Sequence, residues 1–376
     1  MLDVRRLRLL RDLARLGTIA AVAQVHTYTP SAVSQQLAAL QREAGVALLE
    51  RTGRRVTLTP AGVALVEHTE TVLAELEAAS ATLAAARSGL IGTMRIGAFP
   101  TAVHTLLPAA LVALGRDHPG LALMVTELDP AAAPDALRER HLDVALLHDY
   151  DLAPVEPDPT LDSTPLLDET VFLAVPCGAA LDTTSRPDET ILPGLPGAAE
   201  TTALTDPADA GTSAWSVGAT AGACSADTEG AVAAADPVDG FRDADWIVGS
   251  PGTLCHTVAV RACQAAGFAP RVRHHVDDFT AVLTLVAAGQ GVALVPQLGA
   301  GRLPDGVRLL PLRARRRTRI AYRRGAAEHP AVAACVRAIR AATEDHLGKA
   351  RVGGRTEAPG LLERVFRVDG TAACGR

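Results

Sequence analysis

A single lysine, Lys349, serves all 376 residues. That scarcity removes whole classes of chemistry: a pyridoxal Schiff base needs a buried lysine, and a P-loop needs Gly-Lys followed by Ser or Thr. No HExxH or GxSxG pattern occurs either, and His274-His275 is a lone doublet on an expected strand. The six cysteines, Cys177, Cys224, Cys255, Cys263, Cys335 and Cys374, form no CxxC pair, which argues for scattered reduced thiols rather than a zinc knuckle or a disulfide frame. No apolar run approaches the ~18 residues of a membrane span. The opening MLDVRRLRLLRDL alternates arginine with leucine and so lacks the apolar stretch of a secretory signal. The chain is therefore expected to be soluble and cytoplasmic, with no catalytic residue, metal, cofactor or membrane partner.

What is present is an uneven charge. The formal net charge is -6, yet residues 1–58 carry nine arginines against Asp3, Asp12, Glu43 and Glu50. A basic head on an acidic body fits a head that meets phosphate and a body that does not. Hydrophobic residues make up 48% of the chain, enough to give two or three domains a buried core.

The head reads as helices. Val4, Leu7, Leu9, Leu10, Leu13 and Leu16 recur at helical spacing before Gly17. Thr18 can cap a second helix, and Thr29-Pro30 opens a third that runs to about Ala44. On that third helix Val33, Leu37 and Leu40 share one side, leaving Ser31, Ser34, Gln35 and Gln36 elsewhere. Short hydroxyl and amide groups at a helix start suit the donors and acceptors of a major groove. LLERTGRRVTL then predicts two short strands around Thr52-Gly53, a wing with Arg51, Arg54 and Arg55 placed for phosphate or a minor groove.

The stretch GTIAAVAQVHTYTPSAVSQQLAALQREAGVALLERTGRRVTLTPAG resembles the signature of the LysR-type transcriptional regulators. Carried over by position, the resemblance implies contacts to double-stranded DNA from Thr29, Pro30, Ser31, Ser34 and Gln35, with Arg51 and Arg54 or Arg55 at the wing. The chain departs from the family twice. Leu-His becomes His26-Thr27, which puts a polar ring at an apolar packing position and predicts a partly buried, satisfied histidine, and Phe becomes Leu49.

Thr59-Pro60 opens a long Ala- and Leu-rich helix to about Arg87. Val66, Leu73 and Ser80 fall seven apart, as do Thr69, Leu76 and Leu83, predicting a heptad seam toward a second copy of the chain. Val66, Thr69, Leu73, Leu76 and Leu83 are the expected dimerisation residues of a homodimer or a dimer of dimers.

Beyond Ser88-Gly89 strands and helices alternate, predicting an α/β domain with a largely parallel sheet. DDFTAVLTLVAAGQGVALVP and the layout resemble the family's two-lobed, periplasmic-binding-protein-like effector domain. The expected fold is thus α/β: a winged helix-turn-helix (1–58), a dimerisation linker helix (59–89), a first lobe (90–168), a second lobe (169–276), a return to the first lobe (277–347) and a loose tail (348–376). A small-molecule effector is expected in the cleft between lobes, held by Phe99, Pro100, Thr101 and Ala102, by His148 and Asp149, by Ser250 with Thr253, and by Asp277 and Pro296. Residues 183–240, with Arg186 against nine carboxylates, predict a disordered acidic insertion. RARRRTRIAYRR predicts a solvated edge rather than a second DNA site. Three rival readings remain: a regulator with a decayed, ligand-independent sensor, a solute-binding protein, and an enzyme fused to a helix-turn-helix.

Overall fold

An oxygen side chain stands before each helix of the head and linker, where it takes up a backbone N–H that the first turn leaves without a partner. In the computed structural model, which describes residues 1–52, 55–86, 89–178, 236–301 and 303–353, Asp3 caps α1 (Val4–Leu16), Thr18 caps α2 (Ile19–Val25), Thr29 caps α3 (Pro30–Ala44) and Thr59 caps α4 (Pro60–Ala85). Each cap contributes about 1 kcal/mol. Gly17 and Gly45 end α1 and α3 in the left-handed region, which glycine enters without a Cβ penalty. Leu7, Leu10 and Leu13 of α1 close over Val22, Val33, Leu37 and Leu40 to make the head's core. The wing forms as predicted from β1 (Leu49–Thr52) and β2 (Arg55–Leu58), antiparallel with Thr52 opposite Arg55.

The linker α4 spends part of its predicted seam on its own chain. Thr69 is buried and its hydroxyl donates to Leu65 O, while Val66 packs on the head's core. Leu73 is half-buried and lines a cavity against the body. Thr69 is therefore covered before any second copy arrives, which corrects its assignment to dimerisation, while Val66 is only partly buried. Leu76 and Leu83 remain 42% and 71% exposed, and Val72, not anticipated, lies exposed on the same face.

The body begins with β3 (Gly92–Ala98), α5 (Pro100–Thr105), α6 (Leu107–Asp117), β4 (Leu121–Glu127), α7 (Ala133–Arg138) and β5 (Val144–Tyr150). The helical stretch from Pro100 to Asp117 breaks at Leu106 because Pro108 cannot supply an interior N–H and opens α6 instead. A 16-residue strand, β6 (Leu161–Pro176), then leaves the first lobe. The second lobe holds β7 (Asp245–Val248), α8 (Leu254–Ala265), β8 (Arg271–His275), α9 (Phe279–Ala287) and β9 (Ala293–Pro296). The 17-residue β10 (Val307–Arg323) comes back, and α10 (Pro330–Gly353) closes on α6.

The main sheet runs β4-β3-β5-β10-β6-β9, with β7 and β8 as a separate parallel pair. Its centre is antiparallel, since β10 pairs in reverse with both β5 and β6, so the expected largely parallel sheet becomes a mixed one. The return also differs from the expected boundary at residue 277. Val282, Leu283, Val286, Ala293 and Val295 share a core with Ile247 and Ala174, which places α9 and β9 in the second lobe and leaves β10 as the return. Likewise RARRRTRIAYRR is a central strand, not a solvated edge, and Arg316 within it is fully buried. The insertion expected over 183–240 falls mainly outside the described residues; its last part does not, because Pro237–Phe241 forms a 3-10 turn whose Val238 is buried in the second lobe. The predicted loose tail starts late, as α10 continues to Gly353, and the remainder lies outside the described residues.

Candidate functional site

Two places in the chain are equipped to bind. The first is the exposed edge of α3. Burying Val33, Leu37 and Leu40 turns the opposite side outward, and Thr29, Pro30, Ser31, Ser34, Gln35 and Gln36 are all exposed. Several of these groups are already engaged: Thr29 Oγ1 accepts from Ala32 N at 3.2 Å and meets Ser31 Oγ at 3.0 Å, Ser34 Oγ donates to Pro30 O at 3.0 Å, and Gln36 Oε1 accepts from Arg6 Nε at 2.9 Å. Gln35 is the amide on this edge whose donors and acceptor stay uncommitted among the described residues. Arg51 and Arg55 sit on paired wing strands, and Arg54 lies outside the described residues. The unusual His26 is explained: its Nε2 lies 2.6 Å from the Oδ2 of the buried Asp12, which also holds Arg11 at 2.8 Å. Thr27, next to it, takes φ 54, in the left-handed region, at the turn before α3.

The second place is a cavity of about 220 Å³ between the lobes. The first lobe supplies Phe99, Pro100 and Thr101 where β3 gives way to α5, and His148 from β5; the second supplies Thr253, the N-cap of α8, and Asp277. These six predicted residues are brought together. Four others are not. Ala102 is sealed in the first lobe's core, and Pro296 is buried at the end of β9, paired with Val171. Asp149 points to the other face of the sheet, as alternation along a strand requires once His148 faces the cleft, and it holds Arg317 and Arg319. Ser250 stands behind Asp277, donating its N–H at 2.8 Å and its hydroxyl at 2.6 Å to the two carboxylate oxygens. It aims that carboxylate rather than lining the space.

The group the sequence did not disclose is Arg316, which lines the cavity from the middle of β10. Its Nε donates to Glu169 Oε1 at 2.5 Å, its plane lies 5.0 Å over the Phe99 ring, and both Nη atoms reach Thr101 Oγ1 at 3.4 Å. Glu169 Oε2 accepts in turn from Leu298 N at 2.6 Å. Burial alone would lower the Arg316 pKa, but Glu169 beside it raises it above the ordinary arginine value. Beyond this pair the lining mixes Glu127, Asp129 and Asp277 with Leu128, Pro130 and Phe279. The space thus offers a cation at its base and carboxylates around it.

His148 sits against Arg316 with neither ring nitrogen hydrogen-bonded among the described residues, its ring edge-on to Phe99 at 4.5 Å and to Tyr150 at 5.4 Å. Burial, then the Arg316 charge, holds its pKa well below 6.5, so the ring is neutral and presents one donor and one acceptor. Stability linked to this group is full above the unfolded value near 6.5 and is lost as pH falls below it, because the unfolded ring gains a proton that the folded one refuses. As pH is lowered from 8 to 5, the melting temperature of the wild type should drop relative to that of His148→Phe. Parallel curves would remove His148 as the cause.

Comparison with known proteins bears on both places. The family model described as bacterial regulatory helix-turn-helix protein, lysR family, matches residues 4–63, and that described as LysR substrate binding domain matches 87–189 and 222–344. The second match passes over 190–221, a narrower excess than the 183–240 anticipated. A hydrogen peroxide-inducible genes activator of Mycobacterium xenopi is 38% identical over 178 residues, 45% of this chain and 92% of its own length. The transcriptional dual regulator GltC of Bacillus subtilis is 26% identical over 301 residues, 79% of this chain and 81% of its own. Among solved structures, a full-length OxyR variant from Pseudomonas aeruginosa aligns with a TM-score of 0.49 at 18% identity, covering 90% of this chain and 95% of that one.

Proposed function

The chain belongs to the LysR family of bacterial regulatory helix-turn-helix proteins, which are DNA-binding transcription regulators with an effector domain, and from that premise we propose that a small polar metabolite closing on Arg316 alters how paired copies sit on duplex DNA. The observation that carries this reading is the buried Arg316 guanidinium, bonded at Nε and with its Nη groups facing a lined space. An acceptor on the ligand, such as a carboxylate, meets those Nη groups and Thr101, while a hydroxyl or amine meets Asp129 or Asp277. A cavity of about 220 Å³ falls below the ~300–1,000 Å³ of most ligand clefts, so the ligand is small. The reading requires no catalytic step.

Pairing of copies draws on the exposed face of α4, where Val72, Leu76 and Leu83 form an apolar stripe that a single chain leaves in water. Two heads on a two-fold axis would meet half-sites one or more helical turns apart, with Thr29, Ser31, Ser34 and Gln35 in the major groove and the wing arginines on phosphate. Such a protein would work in the cytoplasm, where bacterial DNA lies. Among the described residues no helix is long and apolar enough to cross a membrane.

A peroxide response, suggested by the name of the mycobacterial relative, draws no support from the two thiols of α8. Burial raises the Cys255 pKa and pushes that of Cys263 up to about 12, whereas peroxide reacts with a thiolate. Both thiols lie on α8 eight positions apart, about 12 Å along a helix, beyond disulfide reach without unwinding it.

The test is DNA selection followed by titration. Gln35→Ala should cost about 1–3 kcal/mol on the selected sequence and little on random duplex, since an amide pairs bidentately with adenine. Arg51→Ala should weaken both and lower the salt slope by about one. Equal losses on the two duplexes for Gln35→Ala would end the assignment of a reading edge.

A further inference from the structure

We propose that the junction of the head, α4 and the first lobe is a second binding site, for a small phosphate-bearing anion, separate from the cleft between the lobes. A cavity of about 230 Å³ opens there, with Arg8, Arg11 and Arg15 of α1 on one side and Arg138, Arg140 and Arg323 of the first lobe on the other. Guanidinium groups from two parts of the fold thus converge on one space.

Most of these cations are neutralised within the chain. Arg11 meets Asp12 at 2.8 Å and Glu70 at 3.9 Å; Arg15 meets Asp135 and Glu139; Arg138 meets Asp135 and Asp158. Arg140 and Arg323 share Glu77 at 2.5 and 3.0 Å, and Arg323 also reaches Asp143 at 3.4 Å. The carboxylates that face the cavity, Asp12, Glu70, Glu77 and Glu139, are therefore each held by an arginine other than Arg8. Arg8 is half-buried, and among the described residues it has no hydrogen bond and no ion pair.

The electrostatics agree with that inventory. Burial, then the positive charges of Arg140 and Arg11, outweigh the nearby carboxylates of Glu77 and Asp12 and pull the Arg8 pKa below the ordinary arginine value. A partly desolvated cation facing two like charges is stabilised by an anion brought in from outside. A phosphate group suits such a place: it carries up to two charges and several acceptor oxygens, so it can accept from planar guanidinium forks that approach from different elements. The size of the cavity fits inorganic phosphate or a small phosphate monoester.

Equilibrium dialysis of the full chain against labelled inorganic phosphate tests the site, with glycerol phosphate as competitor to separate free phosphate from a monoester. The expected result is saturable uptake of one equivalent, weakened at least tenfold in Arg8→Gln, less in Arg8→Lys, which keeps the charge without the planar fork, and unchanged in the cleft variant Thr101→Val. Should Arg8→Gln fail to fold, Arg324→Gln, an exposed change at the same cavity, must weaken uptake instead. Absence of saturable uptake, wild-type uptake by the variants that remove charge, or loss in Thr101→Val would each overturn the proposal. A DNA arm guards against the other source of phosphate: if duplex expels the bound phosphate and Arg8→Gln lowers the salt slope of duplex binding by about one, the junction serves the DNA backbone and the proposal fails.

Discussion

Replacing Arg316 by alanine is expected to cost the chain about 3–5 kcal/mol, because it strands the Glu169 carboxylate in a dry interior. Both side chains of this ion pair are 1% exposed, and Glu169 would keep only the Leu298 N–H as a donor. The same change should abolish ligand uptake by the cleft, since it removes the guanidinium at its base. Denaturant titration of the body measures the first effect and calorimetry with candidate metabolites the second. The double variant Arg316→Met, Glu169→Gln separates them: it leaves no buried charge and keeps a carbonyl acceptor for Leu298, so stability should largely return while uptake stays lost. Recovery of neither, or a single variant as stable as the wild type, would show that the pair does not govern this region.

Leu37→Ala in the head is the second large effect, at about 2–5 kcal/mol for a fully buried leucine. The residue is the middle of the stripe that seats α3 on α1, so its loss loosens the helix that carries Ser34 and Gln35. Discrimination between selected and random duplex should fall before total DNA retention does, because retention rests on wing arginines outside that stripe. Body unfolding and cleft binding should be unchanged. If Leu37→Ala keeps full discrimination, α3 is not the element that reads sequence.

The head was legible because its signals are local. A threonine at a helix start, a proline one position later and an apolar side every third or fourth residue act within a few positions of each other, and they returned α3 and the wing with little error. The body hid its central feature for the opposite reason. A run of arginines in β10 looks solvated when read alone, yet Arg315 and Arg316 face Asp168 and Glu169 on β6, while Arg317 and Arg319 face Asp149 and Asp151 near β5. The acidic partners lie about 150 positions away in the chain, and antiparallel pairing brings them alongside. Matching an acidic strand to a basic one could have suggested this, as could the two-residue alternation that lets His148 but not Asp149 enter the cleft. The seam of α4 was half-read because a heptad pattern says that a stripe is buried, not whose surface buries it.

The two lobes are connected by β6 and β10, strands that run unbroken in sequence through both and pair with each other apart from a slip between Pro311 and Arg315 and a second between Thr318 and Arg319. Such a ribbon is a torsion bar: it resists free swinging and yields by changing its twist, with the slips as the compliant sections. Arg316 lies between the two, so a molecule gripping it applies its torque where the bar is weakest. Opening and closing should then form a graded, spring-loaded motion whose stiffness can be tuned by filling or lengthening residues 312–314 without touching the gripping groups.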